Sequence, residues 1–105
     1  MHIMVSQYKL KKDKFNAARG GYSRLLDVSC RKCKGHVLVY QKDGPGNLRR
    51  LYLDRILDQK NTHTVLKCKK CGEILGTYYI YQKEKRKAFR LYHDAVIKKV
   101  RKLRT

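Results

Sequence analysis

Cys30-Arg31-Lys32-Cys33-Lys34-Gly35-His36-Val37-Leu38 and Cys68-Lys69-Lys70-Cys71-Gly72-Glu73-Ile74-Leu75 are the two stretches that decide how this chain folds. Each opens on a Cys-x-x-Cys pair, passes through a glycine, and runs on into apolar residues. Two residues between cysteines let one tight turn aim two thiolates at a single point, and a tetrahedral zinc ion takes four such sulfurs at about 2.3 Å. Cys30, Cys33, Cys68 and Cys71 are therefore read as the ligands of one structural Zn²⁺, each half of a short pseudo-repeat supplying two. Gly35 and Gly72 sit where the backbone leaving such a turn commonly needs a positive φ. The flanking cations Arg31, Lys32, Lys34, Lys67, Lys69 and Lys70 lower thiol pKa values and offset the net negative charge of a four-thiolate site.

Other chemistries fit these cysteines less well. A thioredoxin-type redox motif needs one pair in a βαβ setting. A catalytic zinc keeps an open coordination position, whereas four cysteines close all four. His36, three residues after Cys33, is the one alternative ligand nearby. No Gly-x-x-x-x-Gly-Lys-Ser/Thr phosphate loop, His-Glu-x-x-His or paired-carboxylate pattern occurs, so the expectation is a non-enzyme without a small-molecule substrate. Asp43-Gly44-Pro45-Gly46 reads as a turn rather than a phosphate cradle.

Working outward, Val37-Leu38-Val39-Tyr40 is a β-rich run, Leu48 to Leu57 is read as a strand after the Gly-Pro-Gly turn, and Ile74 to Tyr81 is the strongest strand pattern. Residues 88–103 fit two readings. Ala88, Leu91, Tyr92, Ala95, Val96, Val100 and Leu103 recur at helical spacing, while local alternation permits a hairpin turning at His93-Asp94. The expected fold is a small zinc-ribbon-like module, mainly β, with a C-terminal helix as the favoured reading of that segment. The expected layout is a basic extended N-terminal arm over 1–26, with a short helical turn near Lys12 to Arg19, a module over 27–97, and a basic tail over 98–105. A core of about 70 residues seldom supplies more than about 3–5 kcal/mol, so a staple is expected. Met1 to Val5 is too short for a secretory signal and no run is long enough to span a bilayer. That points to a reducing cytoplasm, where thiolates meet metals rather than each other.

The chain has 27 Lys and Arg against 8 Asp and Glu, a formal charge of +19. Self-repulsion of that size calls for a polyanion. With no Trp and two Phe, the apolar face of a membrane-surface helix is missing, which leaves nucleic acid. The candidate contacts are Lys11, Lys12, Arg19, Tyr22 and Arg24 in the arm, Arg31, Lys32, Lys34, Lys69 and Lys70 in the knuckles, Arg49 and Arg50 (with Arg55) after the turn, and Lys85, Arg86, Lys87 and Arg90 further on. Tyr8, Phe15 and Tyr22, interleaved with the cations of the arm, suit base stacking. Tandem Cys₂His₂ fingers for the DNA major groove are absent, and the chain's 8 tyrosines suit irregular RNA surfaces.

The two Cys-x-x-Cys knuckles with basic extensions resemble the small zinc-ribbon proteins of ribosomes. That resemblance implies a non-enzymatic protein that braces rRNA beside neighbouring ribosomal proteins in the cytoplasm. The 34-residue gap between the pairs also admits an elaborated β-insert, or a tent-like zinc fold resembling the Yippee family. The competing functional expectations are a DNA-binding or transcription-associated zinc ribbon and a module for an acidic protein partner.

Overall fold

The computed structural model describes residues 10–18, 20–21, 23–44, 46–59 and 64–101. A short helix, α1 (Lys14–Ala18), precedes seven strands: β1 (Ser23–Cys30), β2 (His36–Asp43), β3 (Arg50–Tyr52), β4 (Val65–Lys67), β5 (Ile74–Tyr81), β6 (Arg86–Leu91) and β7 (Val96–Arg101). They form two antiparallel sheets, a three-stranded one in the order β2-β1-β7 and a four-stranded one in the order β3-β6-β5-β4. The mainly β expectation holds.

Each Cys-x-x-Cys knuckle is the tip of an antiparallel hairpin, and the two hairpins belong to different sheets. β1 pairs with β2, Leu26 facing Tyr40 and Val28 facing Leu38. β4 pairs with β5, Val65 facing Thr77. The register slips beside both knuckles, between Val28 and Ser29 and between Leu66 and Lys67. The chain changes sheet after β2 and again after β6, so the apolar faces of both sheets feed one cluster. Leu26, Val28, Leu38 and Tyr40 meet Leu51, Leu66, Leu75 and Phe89, with Cys30 and Cys68 at the knuckle end of the same cluster.

Residues 88–101 are neither the favoured helix nor a hairpin, and Leu103 lies outside the described residues. Through Leu91 the chain pairs with β5 and β3, and from Val96 it pairs with β1. The segment therefore bridges the sheets, turning through Tyr92–Ala95, where the Ala95 N–H donates to the Tyr92 carbonyl at 3.3 Å. The helical spacing arose from two strands in different sheets placed end to end. The Leu48 to Leu57 run splits likewise: only Arg50–Tyr52 is strand, Leu53–Arg55 is a 3₁₀ turn, and Ile56 bridges back to Tyr40. Of the Gly-Pro-Gly turn, Pro45 lies outside the described residues.

The N-terminal segment over 10–18 is docked on the module rather than extended. α1 bears out the helical turn expected near Lys12 to Arg19, while Ser23 to Leu26, expected in the arm, are the first half of β1, with Leu25 and Leu26 buried. At the other end β7 takes in residues 98–101 of the expected tail. The docking has a physical cause. Arg55 is fully buried, not part of a surface basic cluster, and its guanidinium reaches Asp43 at 2.8 Å, Asp13 at 2.7 Å and Asp54 at 3.6 Å. A buried charge must be paired, and Asp13 is the arm's contribution. Asn16 donates to Ser23 Oγ (2.6 Å) and Asp43 Oδ1 (3.3 Å). Lys11 N–H donates to the Gln41 side chain at 2.6 Å, which donates back to the Lys11 carbonyl at 2.8 Å.

Candidate functional site

The hairpin tips bring the four cysteines together. Their sulfurs all lie within 4.8 Å of one another, with Cys30 Sγ 3.7 Å from Cys71 and Cys33 Sγ 3.5 Å from Cys68. Both close approaches run between knuckles rather than within one, so an ion shared by the four sulfurs would tie the three-stranded sheet to the four-stranded one. Sulfurs at 2.3 Å from one tetrahedral ion stand roughly 3.8 Å apart, and a disulfide needs about 2.05 Å. The spacing fits one metal ion, with Cys30, Cys33, Cys68 and Cys71 as its ligands, and not a disulfide. The Cys71 and Lys70 N–H groups pull the Cys68 thiol down to about 6. At Cys71 the Glu73 N–H lowers the thiol, but burial and the neighbouring Cys30, Cys68 and Cys33 outweigh it and push it up to about 11. Thiols this close do not all ionise without a cation among them.

The two knuckles repeat each other bond for bond. Lys34 N–H donates to Cys30 O and Gly72 N–H to Cys68 O, each at 2.8 Å; Cys30 N–H donates to Gly35 O at 2.9 Å and Cys68 N–H to Glu73 O at 2.8 Å. The residue directly after each second cysteine carries the left-handed conformation, Gly72 at φ 82° and Lys34 at φ 66°. Gly72 meets the expectation and Gly35 does not. Gly35 has little room instead: a Cβ there would lie 2.9 Å from Cδ of the exposed Lys70, a side chain that can move aside, and 3.3 Å from Cys33 Sγ. A left-handed lysine costs roughly 1–2 kcal/mol, partly offset by the greater freedom that glycine has in the unfolded chain. Lys34→Gly is therefore expected to stabilise the metal-loaded protein by about 0.5–1 kcal/mol, read as a higher urea midpoint with unchanged slope. No gain would mean that the Lys34 Nζ bond to Arg31 O (2.9 Å) outweighs the strain.

His36 is no ligand. Its Nε2 lies 2.9 Å from Asp58 Oδ2. Burial raises the Asp58 carboxyl, but the Val39 N–H and His36 outweigh it and leave the group below its usual range.

The structure sorts the predicted nucleic-acid contacts into three groups. Arg19 and Tyr22, with Tyr8, lie outside the described residues. Arg86 is withdrawn from solvent: it is buried, pairs with Asp54 (2.8 Å) and Glu84 (3.0 Å), and lies between the rings of Tyr52 (3.7 Å) and Phe15 (4.0 Å). That occupies Phe15, which was expected to stack on bases. Lys11 is engaged, its Nζ donating to Asp54 O at 2.6 Å, and Arg24 is half-buried in β1. Arg50 is half-buried too, its Nε donating to Tyr79 Oη (2.9 Å) and its guanidinium 4.0 Å over Tyr81. Lys12, Arg31, Lys32, Lys34, Arg49, Lys69, Lys70, Lys85, Lys87 and Arg90 are exposed, Lys32 with Glu73 at 3.4 Å.

Three of these exposed groups converge where sequence reasoning saw separate clusters. Arg31 of the first knuckle, Arg49 before β3 and Arg90 of β6 border a cavity of about 730 Å³, together with Arg50, Tyr79, Tyr92 and Lys98. Tyr79, Tyr92 and Lys98 were missed. Two of them lie in or beside the segment whose period reads as helix, and they meet the arginines only because the chain crosses between sheets there. No family model, curated protein or solved structure matches the chain. Among the described residues no helix is long and apolar enough to cross a membrane.

Proposed function

We propose that this is a non-enzymatic RNA-binding zinc protein, a ribosomal or ribosome-associated component in the cytoplasm that braces rRNA through its basic surface. The observation that carries the reading is the fate of the carboxylates. All 8 acids of the chain have a cationic or imidazole neighbour: Asp13 and Asp43 meet Arg55, Asp54 and Glu84 meet Arg86, Asp27 meets Arg101, Glu73 meets Lys32, Asp58 meets His36 and Asp94 meets His93. All are paired within the chain, four of them with the buried Arg55 or Arg86, and the surface keeps the cationic excess. A zinc bound by four thiolates contributes a net −2, which leaves about +17 for a polyanion to neutralise. Soft thiolates in a closed tetrahedron favour zinc as the ion. We read the fold as nearer the tent-like arrangement than a compact ribbon, because each knuckle caps a hairpin of a different sheet and the ion joins the two.

Sedimentation with ribosomes tests the function. The protein is expected to travel with ribosomal particles at low salt and to dissociate as salt rises, since each phosphate-facing cation releases a counterion. A protein that stays at the top of the gradient at both salt levels would overturn the proposal. Tighter binding to duplex DNA than to structured RNA at one salt concentration would favour the transcription-associated reading.

A further inference from the structure

The cavity between β3, β6 and the crossover into β7 has a chemistry of its own. Arg31, Arg49, Arg90 and Lys98 stand around it, all exposed, and none of them forms an ion pair with a carboxylate among the described residues. The acid on its rim, Asp94, lies 3.3 Å from His93 Nε2. Arg90 is held in place, its guanidinium 4.6 Å over the Tyr79 ring. Tyr92 is 47% exposed and has no ring partner among the described residues, yet its backbone is anchored, its N–H donating to Leu75 O at 2.9 Å. Cations that track a phosphate chain beside a ring free to stack are the two components of a single-strand site.

We propose that this cleft binds single-stranded RNA, with an unstacked base on the exposed face of Tyr92 and the flanking phosphates between Arg49, Arg90, Arg31 and Lys98. The inference rests on the RNA-binding reading above and narrows it to one site and one form of RNA. About 730 Å³ is within the range of ordinary small-ligand pockets, roughly 300–1,000 Å³. That leaves room for one or two splayed nucleotides. Bases in an A-form helix are stacked on each other and offer Tyr92 no free face, whereas loops and ends do.

Fluorescence anisotropy of the zinc-loaded full chain tests the site, with a labelled uridine hexamer, a fully paired RNA hairpin and a glutamate decapeptide as probes at one salt concentration. Tyr92→Ala is expected to weaken hexamer binding about 5- to 150-fold, the range for losing one stacked base, and to leave hairpin binding within about twofold. Tyr92→Phe should bind like wild type. Arg49→Gln should weaken hexamer binding more than Lys83→Gln, which removes the same charge from the turn before β6. Hexamer binding unchanged in both Tyr92→Ala and Arg49→Gln, with RNA still bound, overturns the cleft and leaves the general RNA reading standing. Wild type that binds neither RNA overturns both. Binding of the decapeptide that matches the hexamer and ignores Tyr92→Ala overturns the cleft proposal in favour of an acidic protein partner.

Discussion

Cys68→Ala is expected to give a chain that does not fold. Cys68 is 1% exposed and part of the core, and alanine is apolar and small enough to occupy its place, so the packing loss alone is modest. The ligand loss is not. Structural zinc in small four-ligand sites contributes roughly 10–16 kcal/mol of apparent binding free energy, as much as or more than the whole stability of a typical domain, about 5–15 kcal/mol. Because the ligands come in pairs from two sheets, an ion lost here unlinks the sheets at the knuckle end. The expected result is loss of amide dispersion in the NMR spectrum and no cooperative unfolding transition, with the same outcome for wild type in strong chelator. Elemental analysis of the purified protein should give one zinc per chain. A folded Cys68→Ala protein, or normal folding with chelator present, would remove the metal from the folding account.

Arg55→Met should be the most damaging substitution away from the cysteines, costing about 3–5 kcal/mol, because it leaves buried Asp43 without its cation. Asp43 also accepts from Ser23 Oγ (2.6 Å) and Gln41 Nε2 (2.9 Å), so the change disturbs the seat of the arm as well as one pair. The combination Arg55→Met with Asp43→Asn should recover part of the loss, since it removes the buried orphaned charge and leaves only the solvent-accessible Asp13 without its cation. A urea titration of the metal-loaded proteins measures both, and a cost under about 1 kcal/mol for Arg55→Met would show the network to be dispensable.

The same network sets an acid limit. Burial works to raise the Asp43 carboxyl, but hydrogen bonds from Ser23, Arg55 and Gln41 outweigh it and hold the group below its usual range. The bond from Arg55 holds Asp13 low as well. A carboxyl whose folded-state pKa is depressed contributes stability above its unfolded value, about 3.9, and loses it as pH falls through the folded one. Wild type should therefore lose stability relative to Asp43→Asn below about pH 4. Taking the difference between the two proteins cancels the acid sensitivity that both share at the thiolates.

Much of the candidate site was legible in the chain before folding. Spacing alone brought out Cys30, Cys33, Cys68 and Cys71, because a knuckle is a local structure whose geometry is set within about five residues. The Ile74 to Tyr81 strand and the turn at α1 were legible for the same reason. Gly35 was misread because the turn puts its left-handed residue one position earlier, at Lys34, and what crowds Gly35 is Cys33 Sγ and the Lys70 side chain of the other knuckle, 35 positions away in the chain. Arg55 and Arg86 look in sequence like any other surface cations. Only the fold surrounds them with Asp13, Asp43, Asp54 and Glu84, and so takes them from the surface into the interior.

What the sequence determined by itself was the four-cysteine cluster able to hold a metal, the excess of positive charge and the predominance of β-structure, all of them properties of composition and short-range spacing. The tertiary structure decided which strand joins which sheet, that residues 88–101 cross between the sheets, and that Arg31, Arg49, Arg90, Tyr92 and Lys98 share one cleft. Those outcomes depend on pairing between strands as far apart as β1 and β7. Such pairing is chosen by burial of a common core, and no local period in the chain records it.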